Sequence, residues 1–193
     1  EGKWWMLFTG GGREISGIGL AVSDDLRRWS KVGDGPVVPL GKPFPATWQG
    51  RTVQWIALAD PYVYPEPIDG WFIMIINAGI VDAPLHSRGC LTTMRSRDLR
   101  TWEPYGILTW PEWFTRLETP QLWHHNGLWY LYFGGVRERE MPAEFIAQTP
   151  KNLPGNGNYY FVSANVEGPY EPGPEWRLRI PDPRFAYICK VLR

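Results

Sequence analysis

Apolar residues in this chain fall in short aromatic and β-branched runs broken by Gly, Pro, Asn and Asp, and helical periodicity is almost absent. Three of the runs align with one another. They are Gly2-Lys3-Trp4-Trp5-Met6-Leu7-Phe8, Gly70-Trp71-Phe72-Ile73-Met74-Ile75-Ile76 and Gly127-Leu128-Trp129-Tyr130-Leu131-Tyr132-Phe133. A second element recurs as Ser23-Asp24-Asp25-Leu26-Arg27-Arg28-Trp29 and Ser96-Arg97-Asp98-Leu99-Arg100-Thr101-Trp102. A third precedes two of the aromatic runs: Asp60-Pro61-Tyr62-Val63-Tyr64 and Glu118-Thr119-Pro120-Gln121-Leu122-Trp123. Asp69-Gly70 and Asn126-Gly127 supply the tight turns between the third element and the aromatic run.

A repeat of roughly 60 residues built from a few short strands predicts an all-β fold, a β-propeller. Each unit reads as an acid-Pro inner strand, a turn, an aromatic second strand and a third strand ending in Ser-x-Asp-Leu-x-x-Trp. The closing Trp is suited to packing between neighbouring blades. A β-sandwich spaces its strands similarly but requires no such repeat. Residues 1–193 then form one domain: the outer part of a first blade, two full blades and one further inner strand, about three blades in all. Both chain ends read as strands without lead-in or cap, which suggests a piece of a longer protein. Open blade edges are templates for pairing, so self-association is expected.

Composition narrows the function. Aromatic residues make up 15% of the chain and charged residues 21%, with no net charge, which excludes a disordered tail. Twenty acidic against twenty basic residues leave no electrostatic footprint for nucleic acid. No uncharged apolar run is long enough to span a membrane as a helix. Cys90 and Cys189 are too few for a disulfide scaffold and read as small buried hydrophobes. No His/Cys spacing fits a zinc site. No signal peptide opens the chain, and any export signal would lie upstream, so no compartment is specified.

The chemistry is expected where each repeat starts. Inner strands of a propeller line its central channel, and Asp60 and Glu118 take equivalent places at the starts of two of them. Two carboxylates converging on one mouth can flank a scissile bond, one protonating the leaving oxygen and another acting as base or nucleophile. Either acid could instead cap a turn or pair with an arginine such as Arg116. Around them, Thr9-Gly10-Gly11-Gly12 could bring its backbone to a sugar. Gln54 and Trp55 precede Asp60, and the Trp55 ring suits either a sugar face or the core. Trp110, Trp113 and Phe114, in the loop before Glu118, could form a stacking subsite. His86 lies in a loop near Arg88, while His124 and His125 sit in a turn.

Leu58-Ala59-Asp60-Pro61-Tyr62-Val63-Tyr64 resembles the second-blade Asp-Pro motif of the five-bladed propeller glycoside hydrolases of families 43 and 32. Leu117-Glu118-Thr119-Pro120-Gln121-Leu122-Trp123, with the aromatic run after it, is similar to their third-blade Glu-x-Pro motif. The two Ser-x-Asp-Leu-x-x-Trp segments resemble an element common in both. The resemblance implies that Glu118 is the general acid and Asp60 a helper; the residues themselves offer Gln54, Trp55, Trp113, Thr9 and Arg116 as candidate sugar contacts. It implies a third acid, an Asp 11 or 12 residues before Trp4, which would fall upstream of residue 1. Ala59 stands where family 32 usually has Arg, and Thr119 where it usually has Cys. Both departures lean toward the arabinan and xylan side-chain enzymes of family 43. No cofactor is implied beyond a channel calcium, for which the sequence specifies no ligands. The expected partner is a plant or microbial oligo- or polysaccharide. The alternative is a non-catalytic propeller that binds glycan or protein through the same mouth.

Overall fold

A computed structural model describes residues 2–11, 16–39, 43–48, 51–137, 142–149, 155–178 and 190–191, with backbone alone at 16, 43–48 and 51–59. The described residues form three antiparallel sheets in sequence order. In the first, Trp4–Gly11 (β1) pairs with Ser16–Ser23 (β2), and Ser30–Lys31 (β3) and Val38–Pro39 (β4) both join β2. The second is a meander of Pro43–Trp48 (β5), Arg51–Val63 (β6), Phe72–Ile80 (β7), Gly89–Ser96 (β8) and Glu103–Thr109 (β9). The third runs Arg116–His125 (β10), Leu128–Val136 (β11), Gly157–Ser163 (β12) and Glu171–Arg177 (β13). A short helix, Ala143–Gln148 (α1), lies between β11 and β12. These sheets are the blades that the repeat predicts, and the β-propeller architecture stands.

The hairpin turns form for the expected reason. Asp69-Gly70 and Asn126-Gly127 each hold two successive positive φ values, +50° and +77° in the first and +50° and +76° in the second. That is the twist-matched turn that Asp-Gly and Asn-Gly favour.

The two Ser-x-Asp-Leu-x-x-Trp segments are copies at atomic detail. Ser23 Oγ accepts the Leu26 amide at 2.9 Å, and Ser96 Oγ accepts the Leu99 amide at the same distance. Asp25 Oδ1 accepts the Arg27 and Arg28 amides at 2.8 Å; Asp98 Oδ1 does the same for Arg100 and Thr101. Leu26 and Leu99 both sit at φ +62°, and each following Trp donates its indole N–H to that leucine's carbonyl. Capture by backbone N–H groups holds both Asp carboxyls below the usual carboxylate range. Trp102 is buried between the first and second sheets, whereas Trp29 is half-buried.

Alternation along β7 binds the sheets together. Met74 and Ile76 pack with Ile18 and Val38 of the first sheet, and with Met94 and Trp102. Ile75 packs the other way, with Leu91 and Leu108, onto Leu122, Leu131, Phe133 and Phe161 of the third sheet. Successive side chains of a strand point to opposite faces, so one strand serves two cores. Cys90 lies within the first core, where burial pushes its thiol far up, as suits a small hydrophobe. Trp4 and Met6 are exposed on β1, and a cavity of about 410 Å³ is lined by Tyr62 and Tyr64 together with Trp123, Tyr130, Tyr132 and Tyr160 of the third sheet.

Gly89, the first residue of β8, packs against the segment that leads into β10. Its amide donates to the Phe114 carbonyl at 2.9 Å, and an added Cβ would meet the Arg116 backbone nitrogen at 2.8 Å. Gly89→Ala is therefore expected to cost about 1–3 kcal/mol and lower the melting temperature by several degrees. Gly106→Ala, whose Cβ would meet nothing nearer than Thr93 Oγ1 at 3.7 Å, should be close to neutral in the same thermal scan. The Asp25 and Asp98 turns set a pH dependence. Their lowered folded-state values make a contribution that is present above the ordinary Asp value of about 3.9 and lost as pH falls through the folded one. The stability gap between wild type and Asp25→Ala/Asp98→Ala should accordingly shrink from neutral pH to about pH 3, measured by urea titration.

Candidate active site

Asp60 and Glu118 come from neighbouring inner strands, and the backbone irregularities of those strands place them. In β6 Ala59 stands opposite Asn77 and Tyr62 opposite Ile75, so Asp60 and Pro61 together face a single residue of β7. In β10 Glu118 stands opposite Gly134 and Gln121 opposite Tyr132, leaving Thr119 and Pro120 against one residue of β11. Both are β-bulges, and both first residues have positive φ: +55° at Asp60 and +46° at Thr119. The residue before a proline is normally pushed to extended backbone, so these two conformations persist only where the surroundings hold them.

The bulges correct the expected equivalence of the two acids. Asp60-Pro61 corresponds to Thr119-Pro120, and Glu118 corresponds to Ala59, so the acids are one residue out of step. Nor does Asp60 start its strand, because β6 begins at Arg51. Glu118 is the third residue of β10.

The offset brings the acids into one hydrogen-bonded unit. Asp60 Oδ2 accepts the Thr119 amide, the N–H directly after Glu118, at 3.1 Å across the two sheets. The same oxygen accepts Nδ2 of Asn77 at 3.3 Å. The Asp60 amide donates to Thr9 Oγ1 of β1 at 3.0 Å. Thr9, Asp60, Asn77 and Glu118-Thr119 thus meet where three consecutive sheets adjoin. The Glu118 side chain is 15% exposed, and its Oε1 lies 3.5 Å from Nε of the exposed Arg116. A pair that open to solvent contributes little to stability.

The other candidates divide. Thr9 is at the site, but its hydroxyl holds the Asp60 backbone. Arg116 is beside Glu118. Gln54 and Trp55 lie in β6 among residues described by backbone alone, so their side chains fall outside the described residues. Trp113 does not form the expected open platform: its half-buried ring packs against Phe161 and Trp176 of the third sheet, at 6.3 and 5.6 Å between centroids. Phe114 is wholly buried, and Trp110 donates its indole N–H to the Ser87 carbonyl at 2.7 Å. Core packing took these rings because the loop crosses from the outer edge of one sheet to the inner strand of the next. His86 meets Phe145 of α1 edge-on, at 4.2 Å between rings. Among the described residues no group of three or more His, Cys, Asp or Glu gathers as a cation site.

Asn77 and the Thr119 amide are site members that motif reading passes over. A signal existed for Asn77, the lone polar side chain in the apolar run Phe72–Ile80.

No family model and no curated protein sequence matches the chain. Solved structures do. One, of BT0996 in an RGII complex, aligns over 97% of this chain and 53% of its own, with 15% identity and a TM-score of 0.68. A Bombyx mori GH32 β-fructofuranosidase variant in complex with sucrose aligns over 88% of this chain and 35% of its own, with 15% identity and a TM-score of 0.59. A GH43_12 protein retrieved from a capybara gut metagenome covers 90% of this chain and 28% of its own, at 17% identity and a TM-score of 0.51. The chain spans about half the length of the first. Together with the three sheets and their paired bulges, these matches show that the chain has the fold of the β-propeller glycoside hydrolases of the GH32 and GH43 type.

Proposed function

We propose that the protein is a glycosidase that cleaves a plant or microbial oligo- or polysaccharide, with Glu118 as general acid and Asp60 as its helper. The observation that carries this reading is the bond from the Thr119 amide to Asp60 Oδ2, which ties the Asp60 bulge of one inner strand to the bulge that follows Glu118 in the next. Asp60 Oδ2 already accepts two N–H groups and is not the oxygen that delivers a proton. Glu118, mostly covered yet at the same mouth, is the group that can protonate a glycosidic oxygen as its bond to the anomeric carbon breaks. Water, or a third carboxylate acting as base or nucleophile, completes the displacement. Arg116, beside Glu118, contacts the sugar or its leaving group. Ala59 and Thr119 favour arabinan- or xylan-type substrates over fructans, and the sucrose-bound GH32 neighbour keeps the fructan class in view.

Glu118→Gln keeps the side-chain shape and removes the transferable proton. In protein made from the complete reading frame, turnover of a natural oligosaccharide is expected to fall about 10²–10⁴-fold. Turnover of a dinitrophenyl glycoside, whose leaving group needs little protonation, should fall much less. Small and equal losses on both substrates would make Glu118 a structural residue. Binding without turnover on a panel of aryl glycosides would favour the glycan-binding alternative.

A further inference from the structure

The two bulges share a device that neither strand repeat nor motif contains. At a bulge the ladder is interrupted, so the amide of the left-handed residue must find an acceptor outside its own strand pair. At Thr119 that acceptor is a side-chain oxygen of the preceding sheet, Asp60 Oδ2 at 3.1 Å. At Asp60 it is again a side-chain oxygen of the preceding sheet, Thr9 Oγ1 at 3.0 Å. Thr9 thus does for Asp60 what Asp60 does for Thr119. The result is a line of two hydrogen bonds, the Asp60 amide donating to Thr9 Oγ1 and the Thr119 amide donating to Asp60 Oδ2, running across three sheets to the residue beside Glu118. Asn77, 6% exposed, steadies the middle of the line through the same Asp60 oxygen.

We propose that Thr9 is a positioning residue that holds the Asp60 bulge in its left-handed conformation and, through Asp60, sets where Glu118 stands. Its hydroxyl oxygen accepts the Asp60 amide, and the response of kcat against that of KM separates direct sugar contact from this role. The geometry favours it for a further reason. Asp60 is non-glycine, precedes proline and has φ +55°, so an unclamped bulge has a strong pull back toward extended backbone. Relaxation there would carry away both the Asp60 carboxylate and the Thr119 amide it receives. Misplacement of a catalytic group by about 1 Å can lower turnover by orders of magnitude.

The kinetic part of this proposal rests on the glycosidase reading; the clamp itself does not, and the test separates them. Thr9→Val keeps the branched shape and removes the acceptor, while Thr9→Ser keeps the acceptor. Amide hydrogen exchange at Asp60 and Thr119 is compared in all three proteins, along with kcat and KM on an oligosaccharide. Loss of one hydrogen bond is expected to speed Asp60 exchange about tenfold in Thr9→Val and to lower kcat by about the same factor with KM nearly constant. Thr9→Ser should restore both to within about twofold of wild type. Unchanged Asp60 exchange in Thr9→Val overturns the clamp whatever the activity. A raised KM with kcat intact would overturn it in favour of direct sugar contact. Should wild type turn over no glycoside, faster exchange in Thr9→Val with rescue by Thr9→Ser still supports the clamp, and the glycosidase reading is what has failed.

Discussion

The hydrogen bond from the Thr119 amide to the Asp60 carboxylate is where packing of sheets becomes placement of functional groups. Much of the contact between the second and third sheets is apolar, through Tyr64, Ile75, Leu91 and Leu108 on one side and Leu122, Leu131, Phe133 and Phe161 on the other. Burial of that kind is strong but non-directional, and it fixes how near two sheets lie better than it fixes single atoms. Directional bonds, the Gly89 amide to the Phe114 carbonyl among them, supply the rest. Near the far end of the inner strands, the Tyr62 hydroxyl donates to the Leu122 carbonyl at 2.9 Å. At the mouth, Asp60 receives Thr119. The Tyr62 bond pins the strands along their length, and the Asp60 bond pins the pair of bulges.

The Ser-x-Asp-Leu-x-x-Trp turns were fully legible because everything that shapes them is local. The Ser hydroxyl, the Asp carboxylate and the left-handed Leu lie within four residues, so the same letters make the same loop at 23–29 and 96–102. The Asp-Gly and Asn-Gly turns were legible for the same reason. Blade order followed from the repeat. What the letters conceal is register. Asp60 lies 12 residues before Phe72 and Glu118 lies 11 before Trp129, but the second sheet's hairpin is the longer one, with Tyr62 pairing with Ile75 where Gln121 pairs with Tyr132, so the spacing hides the offset. An alignment anchored on acid and aromatic residues absorbs it silently, since a bulge adds a residue without changing composition.

Aromatic residues were the other place where letters proved ambiguous. A tryptophan before an inner strand serves equally as a sugar platform or as a wedge beneath the strand. Trp113 became a wedge because Phe161 and Trp176 of the following sheet rise to meet it. Partners of that kind are about 50 and 60 residues away along the chain, beyond the reach of any local pattern. The bond that Thr9 makes was hidden in the same way: a small hydroxyl at the end of an aromatic strand shows no structural task until Asp60 is seen against it.

The one-residue stagger between the acids gives the fold a vernier. Each inner strand offers two adjacent seats for a carboxylate, the bulge residue itself, as at Asp60, and the residue before it, as at Glu118. The seats differ in height and direction, yet the backbone that carries them is alike in both blades. The gap between carboxyl groups separates inverting from retaining hydrolysis, and those gaps differ by only a few ångströms. A lineage built on this scaffold can therefore change the reach between its acids by exchanging seats, with the strand, the proline and the neighbouring sheet left as they are.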